Sequence, residues 1–508
     1  MLINAELLLQ YQRCKRRPYL DVHEDKKRRD ATSELLQKLQ QDKIAHQKSI
    51  LKKWTYEQPI FPPENWKAGQ LATLELMQRG VECIHQGVML VSESDIDWLP
   101  LELTDTEGGL VENIPVSPGY NQYTLLSRPD LLVKKPGKSR FGDWMYVPVD
   151  IELGKRPKQE YQVVVAYHAQ ILTTVQQAQP ETAKLMLRGR DTAHSVDLSK
   201  WLPQMQRILL ECMENLSYAQ APEVFISRQK CTLCQWYSSC YATAQSQKHL
   251  SLLPGVTPVR YTQLQALDMA SLESLAGSRP AVLEDLPGFD YDVATKLVLQ
   301  AQSVIERRPL VFPYIRPQDI IFPAPIEIYF DIEAQPDLNL NYLLGLLVVD
   351  KEKNTERFYS LLAEKPEDEK LVWQQFLDIV GQYPDAPIYH FCVYEVDTVK
   401  RLAKLYNTPF ASVEPILSRF VDVYEELIQA VALPIESYAL KSIAKWLGFE
   451  WRDQDASGAK CIYWYDQWLE TGDRSLLELI QRYNEDDCRA TRGLKDWLAN
   501  FLESETEG

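Results

Sequence analysis

The C-terminal third of the sequence carries acidic residues at spacings that could hold metal ions. Asp331 and Glu333 lie two residues apart in the apolar stretch 326–333, a predicted strand, so both side chains should point to one face. Tyr483 and Asp487 are four residues apart in a predicted helix and should be neighbours on its surface. Carboxylates converging from a strand and a helix can hold two divalent ions about 3.5–4 Å apart, an arrangement that hydrolyses phosphodiesters. A tyrosine hydroxyl could hold the attacking water.

A second set of carboxylates lies in the N-terminal half. Asp150 and Glu152 are two apart on one predicted strand, and Asp130 follows the predicted strand before it. Three carboxylates on one face are costly unless a divalent cation neutralises them. A nearby lysine could then orient the attacking water or stabilise charge on a phosphate. Exposed polar alternation on an edge strand is the alternative interpretation.

Four cysteines form a third candidate site. Cys231, Cys234 and Cys240 have the spacing C-x2-C-x5-C, and Cys14, in a basic segment near the N-terminus, offers a fourth thiol. Four thiolates can hold an iron–sulfur cluster or a zinc ion, and either group would join the two ends of residues 14–240 into one domain. The other cysteines are scattered and are expected to pack as small apolar residues: Cys83, Cys212, Cys392, Cys461 and Cys488.

Predicted helices and strands place these residues in two α/β regions. The N-terminal region has helical segments over 5–55 and 66–80, strands within 81–91, 123–133 and 144–153, and a helix over 161–177. The C-terminal region has strands over 326–333, 342–350 and 357–362, a helix over 369–381, a strand over 387–391 and helices over 396–405, 440–447 and 476–499. Three strands in a meander, a helix, a further strand and then helices indicate an α/β domain.

The segment between the two regions contains two Pro-Gly turns, in 253–256 and 286–289, each leading towards a helix. Two helices joined by such a turn resemble a helix-hairpin-helix, whose backbone N–H groups bind phosphate. A helical linker with ordinary turns is the alternative. The proline-rich stretch 309–325 marks a boundary. The predicted organisation is therefore one domain over 1–245, a helical linker over 246–322 and a second domain over 323–508.

Composition narrows the class of protein. A chain of 508 residues with 45% apolar content can build several domains with real cores. The N-terminus lacks the features of a signal peptide, and no apolar stretch approaches the roughly 18 residues that span a membrane, so we expect a cytoplasmic protein without a membrane partner. Nine cysteines in such a protein favour metal binding over disulfides.

The net charge of −16 is distributed unevenly along the chain. Residues 1–320 are close to neutral, and residues 321–508 carry the whole deficit. Nucleic-acid binding normally requires basic surface, but an acidic domain can bind nucleic acid when its carboxylates hold metal ions. The charge therefore leaves a nucleic-acid partner open.

The N-terminal pattern resembles the RecB-like PD-(D/E)xK nucleases, on Asp130, Asp150-x-Glu152, the helix with Gln162 and Tyr167, and the four cysteines. It is most similar to their iron–sulfur branch, which includes the CRISPR-associated four-cysteine exonucleases and the AddB nuclease domain. The resemblance implies a restriction-endonuclease-like fold, metal ligands at Asp130 and Asp150, and a [4Fe-4S] cluster on Cys14, Cys231, Cys234 and Cys240. Structural zinc is the alternative. Glu152 stands where that family has lysine, and Lys155 is the predicted substitute.

The C-terminal pattern resembles the DEDD 3′–5′ exonucleases of the subclass with Y-x3-D. Asp331 and Glu333 match the first motif, and Tyr483 with Asp487 matches the last. In the middle motif, where the family has Asp after an aromatic residue, this chain has Glu395 after tyrosine. The resemblance implies an RNase H-like fold and two Mg2+ or Mn2+ ions on Asp331, Glu333, Glu395 and Asp487, with Tyr483 placing the water.

The two patterns together resemble a bacterial family of RecB-like nucleases with a fused RNase H-like exonuclease domain. The resemblance implies a metal-dependent nuclease that degrades DNA, in preference to RNA, from its 3′ end through the C-terminal site, in repair, recombination or defence. The alternative is a nucleic-acid-binding scaffold with a degenerate N-terminal site and a purely structural cluster.

Overall fold

The computed structural model of the protein describes residues 1–98, 123–190, 192–314 and 324–507. The chain divides into two units, Met1–Thr243 and Ala244–Gly508. The boundary that the sequence predicts at residues 322 and 323 lies in the stretch 315–323, outside the described residues. Within the described ranges, none of the helices has both the length and the apolar character needed to cross a membrane.

The described elements alternate between helices and short or medium strands. The helices are α1 (Ala5–Arg13), α2 (Arg16–His23), α3 (Glu34–Leu51), α4 (Trp66–Gln78), α5 (Gln159–Gln176), α6 (Leu198–Ser217), α7 (Arg228–Cys231), α8 (Tyr237–Ser246), α9 (Pro258–Ala266), α10 (Leu272–Ala276), α11 (Tyr291–Glu306), α12 (Glu369–Gly381), α13 (Tyr394–Leu405), α14 (Phe410–Leu417), α15 (Val423–Ala430), α16 (Leu440–Trp446), α17 (Gly458–Thr471) and α18 (Arg474–Glu507). The strands are β1 (Leu2–Asn4), β2 (Cys83–His85), β3 (Met89–Ser92), β4 (Thr124–Ser127), β5 (Leu131–Ser139), β6 (Gly142–Glu152), β7 (Thr182–Leu187), β8 (His194–Asp197), β9 (Leu310–Val311), β10 (Ile326–Gln335), β11 (Leu340–Asp350), β12 (Thr355–Leu362), β13 (Ile388–His390), β14 (Phe420–Asp422) and β15 (Val431–Ala432). The sequence therefore predicts most C-terminal elements to within a few residues.

The first unit is built on a five-stranded sheet with the order β2-β5-β6-β7-β8. Strands β5 and β6 form an antiparallel hairpin, and β6 and β7 run parallel because α5 makes the crossover between them. The helix α5 is apolar on most of its faces and lies in the core, as expected for a helix packed on several sides. Leu131 pairs with Val149 in the hairpin, so the residue before β5, Asp130, lies beside Asp150.

The second unit begins with the helical segment α9 to α11. The glycines of its two Pro-Gly turns, Gly255 and Gly288, have φ of +85° and +86°, a left-handed conformation that glycine adopts without strain. The guanidinium of Arg260 donates to both glycine carbonyls, with N–O distances of 2.7 Å in each case. The turns that the sequence assigns to a helix-hairpin-helix are thus tied together by one side chain.

The C-terminal sheet of the second unit has the order β12-β11-β10-β13-β14. Strands β10, β11 and β12 form an antiparallel meander, and β13 and β14 add in parallel to the other side of β10. The alternating side chains of β10 face two cores: Phe330 contributes to one core with α12, and Tyr329 to another with α18. Asp331 and Glu333 share the alternation of Tyr329, so the sheet presents them towards α18. The prediction of an α/β meander domain is confirmed in its secondary structure.

Candidate functional site

The carboxylates of Asp331 and Glu333 on β10 meet that of Asp487 on α18. One ligand oxygen from each lies within 4.8 Å of the others, a spacing at which a single ion can be shared. Within the described ranges, this is the one set of three histidine, cysteine, aspartate or glutamate side chains that meets that spacing. Glu333 and Asp487 are buried and Asp331 is half-buried, so their negative charges are poorly hydrated.

Glu395 adds a fourth carboxylate from the first turn of α13. Its side chain is buried, and its Oε2 has no hydrogen-bond partner. His390 Nδ1 lies 3.6 Å away from this oxygen and instead donates to the carbonyl of Cys392 at 2.6 Å. The neighbouring acid Asp397 is exposed on the same helix. An orphaned buried carboxylate oxygen beside three further carboxylates fits a cation-binding role.

Burial and mutual repulsion both disfavour the ionised carboxylates. Burial, followed by the charges of Asp487, Glu333 and Glu395, raises the pKa of Asp331 well above its usual range. The same causes, burial first, raise the pKa of Glu333, and burial raises that of Glu395. Burial raises the pKa of Asp487 to about 7. A divalent ion would relieve this repulsion, so the residues fit one or two Mg2+ or Mn2+ ions.

Tyr483 stands one helical turn before Asp487 and donates a hydrogen bond to its carboxylate. Burial, followed by the charges of Asp487, Glu333 and Asp331, raises the pKa of Tyr483 far above neutrality. The hydroxyl therefore keeps its proton at neutral pH. It can orient a water molecule through hydrogen bonds but cannot act as a base.

Two residues that sequence reasoning did not assign to the site hold Asp487 in place. The indole Nε1 of Trp451 donates to Asp487 Oδ1 at 2.8 Å. The ammonium of Lys441 lies 5.4 Å from the ring centroids of both Trp451 and Tyr483, and it donates to the carbonyl of Ala456. Both come from the segment that precedes α17, and no local spacing in the sequence links them to Asp487.

The two acids that precede Asp487 on α18 are neutralised by an arginine. Arg452 pairs with Glu485 and with Asp486, at 2.8 Å in each case. Its backbone N–H also donates to Asp486 at 2.9 Å. The acidic run 485–487 is thereby divided: two carboxylates are paired to arginine, and Asp487 alone turns towards β10.

The N-terminal carboxylates also lie together, at the paired ends of β5 and β6. Asp130 accepts from the N–H of Ile151 at 2.7 Å, and the N–H of Asp130 donates to Asp150 at 3.3 Å. His168 lies 3.5 Å from the carboxylate of Asp150, and burial lowers the pKa of His168 to about 3, so the ring is neutral. Burial raises the pKa of Asp130, Asp150 and Glu152, most strongly for Asp150.

The lysine that reaches these carboxylates comes from α3. Lys43 pairs with Glu152 at 3.3 Å, and Gln47, one turn later, donates to Asp130 Oδ1 at 3.0 Å. Burial alone would lower the pKa of Lys43, but Glu152 and Asp130 outweigh it and raise that pKa. Lys155, the lysine that the sequence suggests, is exposed. Sequence reasoning missed Lys43 because nothing local connects α3 to β6.

Cys14 lies close enough to Cys231, Cys234 and Cys240 to affect the pKa values of their thiols, but no three of these four described thiols lie within 4.8 Å of one another. Cys14 follows α1, Cys231 ends α7, and Cys240 lies in α8. Burial raises the pKa of Cys231, Cys234 and Cys240, the last to about 11, and the nearby Cys14 adds to each increase. Arg16 hydrogen bonds to Cys240 and opposes this increase. All four thiols are half-buried, as suits ligands of an enclosed metal group.

Comparison with known proteins identifies part of the chain. Residues 328–499 match the family model of the RNase H superfamily. The C-terminal region is therefore an RNase H-like domain, which confirms that expectation and indicates a nuclease-type activity on nucleic acid. No curated protein matches the chain. The restriction-endonuclease-like fold and the iron–sulfur cluster of the N-terminal unit stay predictions.

The raised pKa of Asp487 predicts how the stability of the metal-free protein depends on pH. The folded protein keeps a proton on Asp487 up to about pH 7, whereas an unfolded aspartate releases it near pH 3.9. The stability from this group is full below about pH 4 and is lost as pH rises through 7. We expect the melting midpoint in EDTA to fall between about pH 5 and pH 8, by roughly 2–4 °C per kcal/mol.

Binding of Mg2+ requires the ionised carboxylates, so Mg2+ should raise the melting midpoint more at pH 8 than at pH 5. Scanning fluorimetry on the full chain measures both effects. Asp487→Asn is the control, because it removes one of the titrating carboxyl groups and should make both dependences shallower, while Asp331, Glu333 and Glu395 still titrate. If the melting midpoint in EDTA rises towards pH 8, the explanation by buried carboxylates with raised pKa values is wrong.

Proposed function

We propose that the protein is a metal-dependent nuclease whose main active site is formed by Asp331, Glu333, Glu395 and Asp487. The observation that carries the proposal is the convergence of these buried carboxylates, with the orphaned Glu395 Oε2, in a domain that matches the RNase H superfamily. Two divalent ions, when bound, would activate the attacking water and stabilise charge on the leaving oxygen. Cleavage from the 3′ end and DNA as substrate follow the resemblance to the DEDD exonucleases.

The roles of the side chains follow from their surroundings. Asp331 and Glu333 project from the central strand β10, which fixes their separation, and Asp487 is oriented by the indole of Trp451. Tyr483, protonated at neutral pH, would hold the attacking water in line with the phosphodiester. Because Tyr483 keeps its own proton, it would not be the base that accepts the proton of that water.

Removal of a central carboxylate tests the site. Asp331→Ala and Asp487→Ala should each lower Mn2+-dependent release of a 3′-terminal label by roughly 1,000-fold, because a loss of several kcal/mol costs a factor of ten per 1.4 kcal/mol. Asp397→Ala removes an exposed carboxylate from the helix that carries Glu395 and should leave the rate within about twofold. Release of a 5′ label, measured in parallel, reports polarity. Undiminished 3′ release in both variants would refute the assignment, provided that it also survives loss of the N-terminal site.

We propose a second metal-dependent nuclease site in the N-terminal unit, with Asp130, Asp150 and Glu152 as its carboxylates. The observation that favours it is Lys43. The resemblance to PD-(D/E)xK nucleases calls for a lysine beside the carboxylates, and α3 supplies one at 3.3 Å from Glu152. The ammonium could stabilise charge on the phosphate or orient the water, a role that exposed Lys155 is not positioned to fill. This argues against the alternative of a scaffold with a degenerate site.

Lysine substitutions distinguish an active N-terminal site from a degenerate one. They are made in an Asp331→Ala background, which removes cleavage by the C-terminal site. Lys43→Ala should lower the remaining Mn2+-dependent cleavage by about 100-fold, because a positioned charge near the phosphate contributes on that order. Lys48→Ala, an exposed lysine of the same helix, is the control. A larger loss in Lys155→Ala would return the role to Lys155. DNA binding without metal-stimulated cleavage in either background would favour the scaffold.

We propose that Cys14, Cys231, Cys234 and Cys240 hold a [4Fe-4S] cluster, with zinc as the alternative. The C-x2-C-x5-C spacing and the influence of Cys14 on the pKa of the other three thiols support a shared metal group, and Arg16 beside Cys240 would offset the negative charge of a thiolate set. The group would be structural, joining α1 to the end of the first unit.

Anaerobic purification distinguishes the two metals. We expect a brown protein with broad visible absorbance and about four iron atoms per chain, as a [4Fe-4S] cluster requires. Cys234→Ser should lose the colour and lower the melting midpoint, whereas Cys83→Ser, a buried cysteine outside the set, should keep the colour. A colourless protein with one zinc ion per chain would overturn the cluster.

A further inference from the structure

The amide of Asn484 contacts the first carboxylate of the C-terminal site. Asn484 lies on α18 between Tyr483 and Asp487 and is fully buried. Its Nδ2 donates a hydrogen bond to Asp331 Oδ2 at 2.6 Å. A hydrogen bond to one oxygen fixes the rotation of the Asp331 carboxylate and leaves the other oxygen for a cation.

The opposite strand is shaped to admit this amide. Gly345 on β11 pairs with Asp331 in the sheet. A Cβ at Gly345 would overlap the Oδ1 of Asn484, and its three nearest atoms would all belong to that side chain. An alanine at this position would force the Asn484 amide to move, so glycine is needed for the amide to keep its present place.

The amide has one favoured orientation when the Asp331 carboxylate is ionised, the form that binds a metal ion. Asn484 Oδ1 is buried and has no hydrogen-bond partner, an arrangement that is costly in a protein interior. The reversed amide would place this oxygen against the Asp331 carboxylate, and two acceptors repel each other. The Asn484 oxygen is therefore left without a hydrogen bond, while the Asn484 nitrogen donates to Asp331. A neutral amide also supplies its hydrogen bond without adding charge to a site of four carboxylates.

We propose that Asn484 is a positioning residue that orients Asp331 for metal binding, and that Gly345 is retained to make room for it. The inference rests on the proposed function of the C-terminal site. Asn484 acts through Asp331 and does not itself bind the ion or the nucleic acid. Its loss should therefore weaken the binding of metal while leaving the affinity for the strand unchanged.

Direct metal titration tests the role of Asn484. Isothermal titration calorimetry with Mn2+ on the full chain, at a temperature where all variants are folded, isolates the binding event that Asp487→Ala removes. Asn484→Ala should weaken that event about 10-fold or more, within the range for residues that orient a metal ligand. The Mn2+ concentration for half-maximal cleavage should rise by the same factor, and KM for the strand should not change at saturating Mn2+. A residue with only a structural role would lower the melting midpoint without this shift.

A double-mutant cycle tests the role of Gly345. Gly345→Ala alone should displace the amide and weaken Mn2+ binding as much as Asn484→Ala does. The double variant should be no worse than either single variant, because the added Cβ then fills the space that the amide has left. Losses that multiply would show that Gly345 acts independently of Asn484 and would overturn that half of the proposal.

The two readouts separate the inference from the proposed function. Mn2+ binding by the wild-type chain without cleavage of any strand would refute the nuclease, while the comparison of affinities would still decide the role of Asn484. An Asn484→Ala variant with wild-type Mn2+ affinity would refute the positioning role, whether or not the chain cleaves nucleic acid.

Discussion

Buried negative charge between β10 and α18 is the constraint on which the C-terminal domain depends. Asp331, Glu333 and Asp487 approach within 4.8 Å, and Glu395 adds its own charge to the same space. The surrounding side chains either form ion pairs with neighbouring acids or donate hydrogen bonds to the carboxylates of the site. Arg452 forms ion pairs with two neighbouring acids. The uncharged side chains of Trp451 and Asn484 donate hydrogen bonds to Asp487 and Asp331. The domain therefore tolerates this negative charge without neutralising it, and the charge stays available to bind a divalent ion.

The two carboxylate sites meet this constraint in different ways. At the N-terminal site a positively charged residue, Lys43, pairs with Glu152 and offsets part of the charge. At the C-terminal site the direct donors to Asp331 and Asp487 are uncharged: an amide, an indole and a phenol. A resident cation satisfies a carboxylate even in the absence of metal, whereas a neutral donor only orients it. The C-terminal carboxylates therefore retain the greater demand for an external cation.

The sequence predicts those parts of the candidate sites that depend on local periodicity. Asp331 with Glu333 follows the two-residue period of a strand, and Tyr483 with Asp487 follows the four-residue spacing of a helix. Both spacings are readable without any knowledge of the fold. Strand β7 is not among the predicted strands, although Ala183, Leu185 and Leu187 alternate as its buried side chains.

Contacts between distant segments could not be predicted in the same way. Lys155 is three residues from Glu152 in sequence, yet the lysine that reaches this carboxylate is 109 residues away. The indole of Trp451 and the amide of Asn484 acquire their roles only when the sheet and α18 pack together. A prediction that relies on closeness in the sequence therefore picks the wrong contact wherever the fold brings two distant elements together.

The close approach of Gly345 and Asn484 also constrains the history of the pair. With alanine at 345, the amide of Asn484 has to leave its present place, whereas glycine at 345 accepts either a small residue or this amide at 484. If the pair arose by single substitutions and the contact with Asp331 was kept throughout, the glycine came before the asparagine. The reverse order passes through a chain in which the amide is displaced from Asp331.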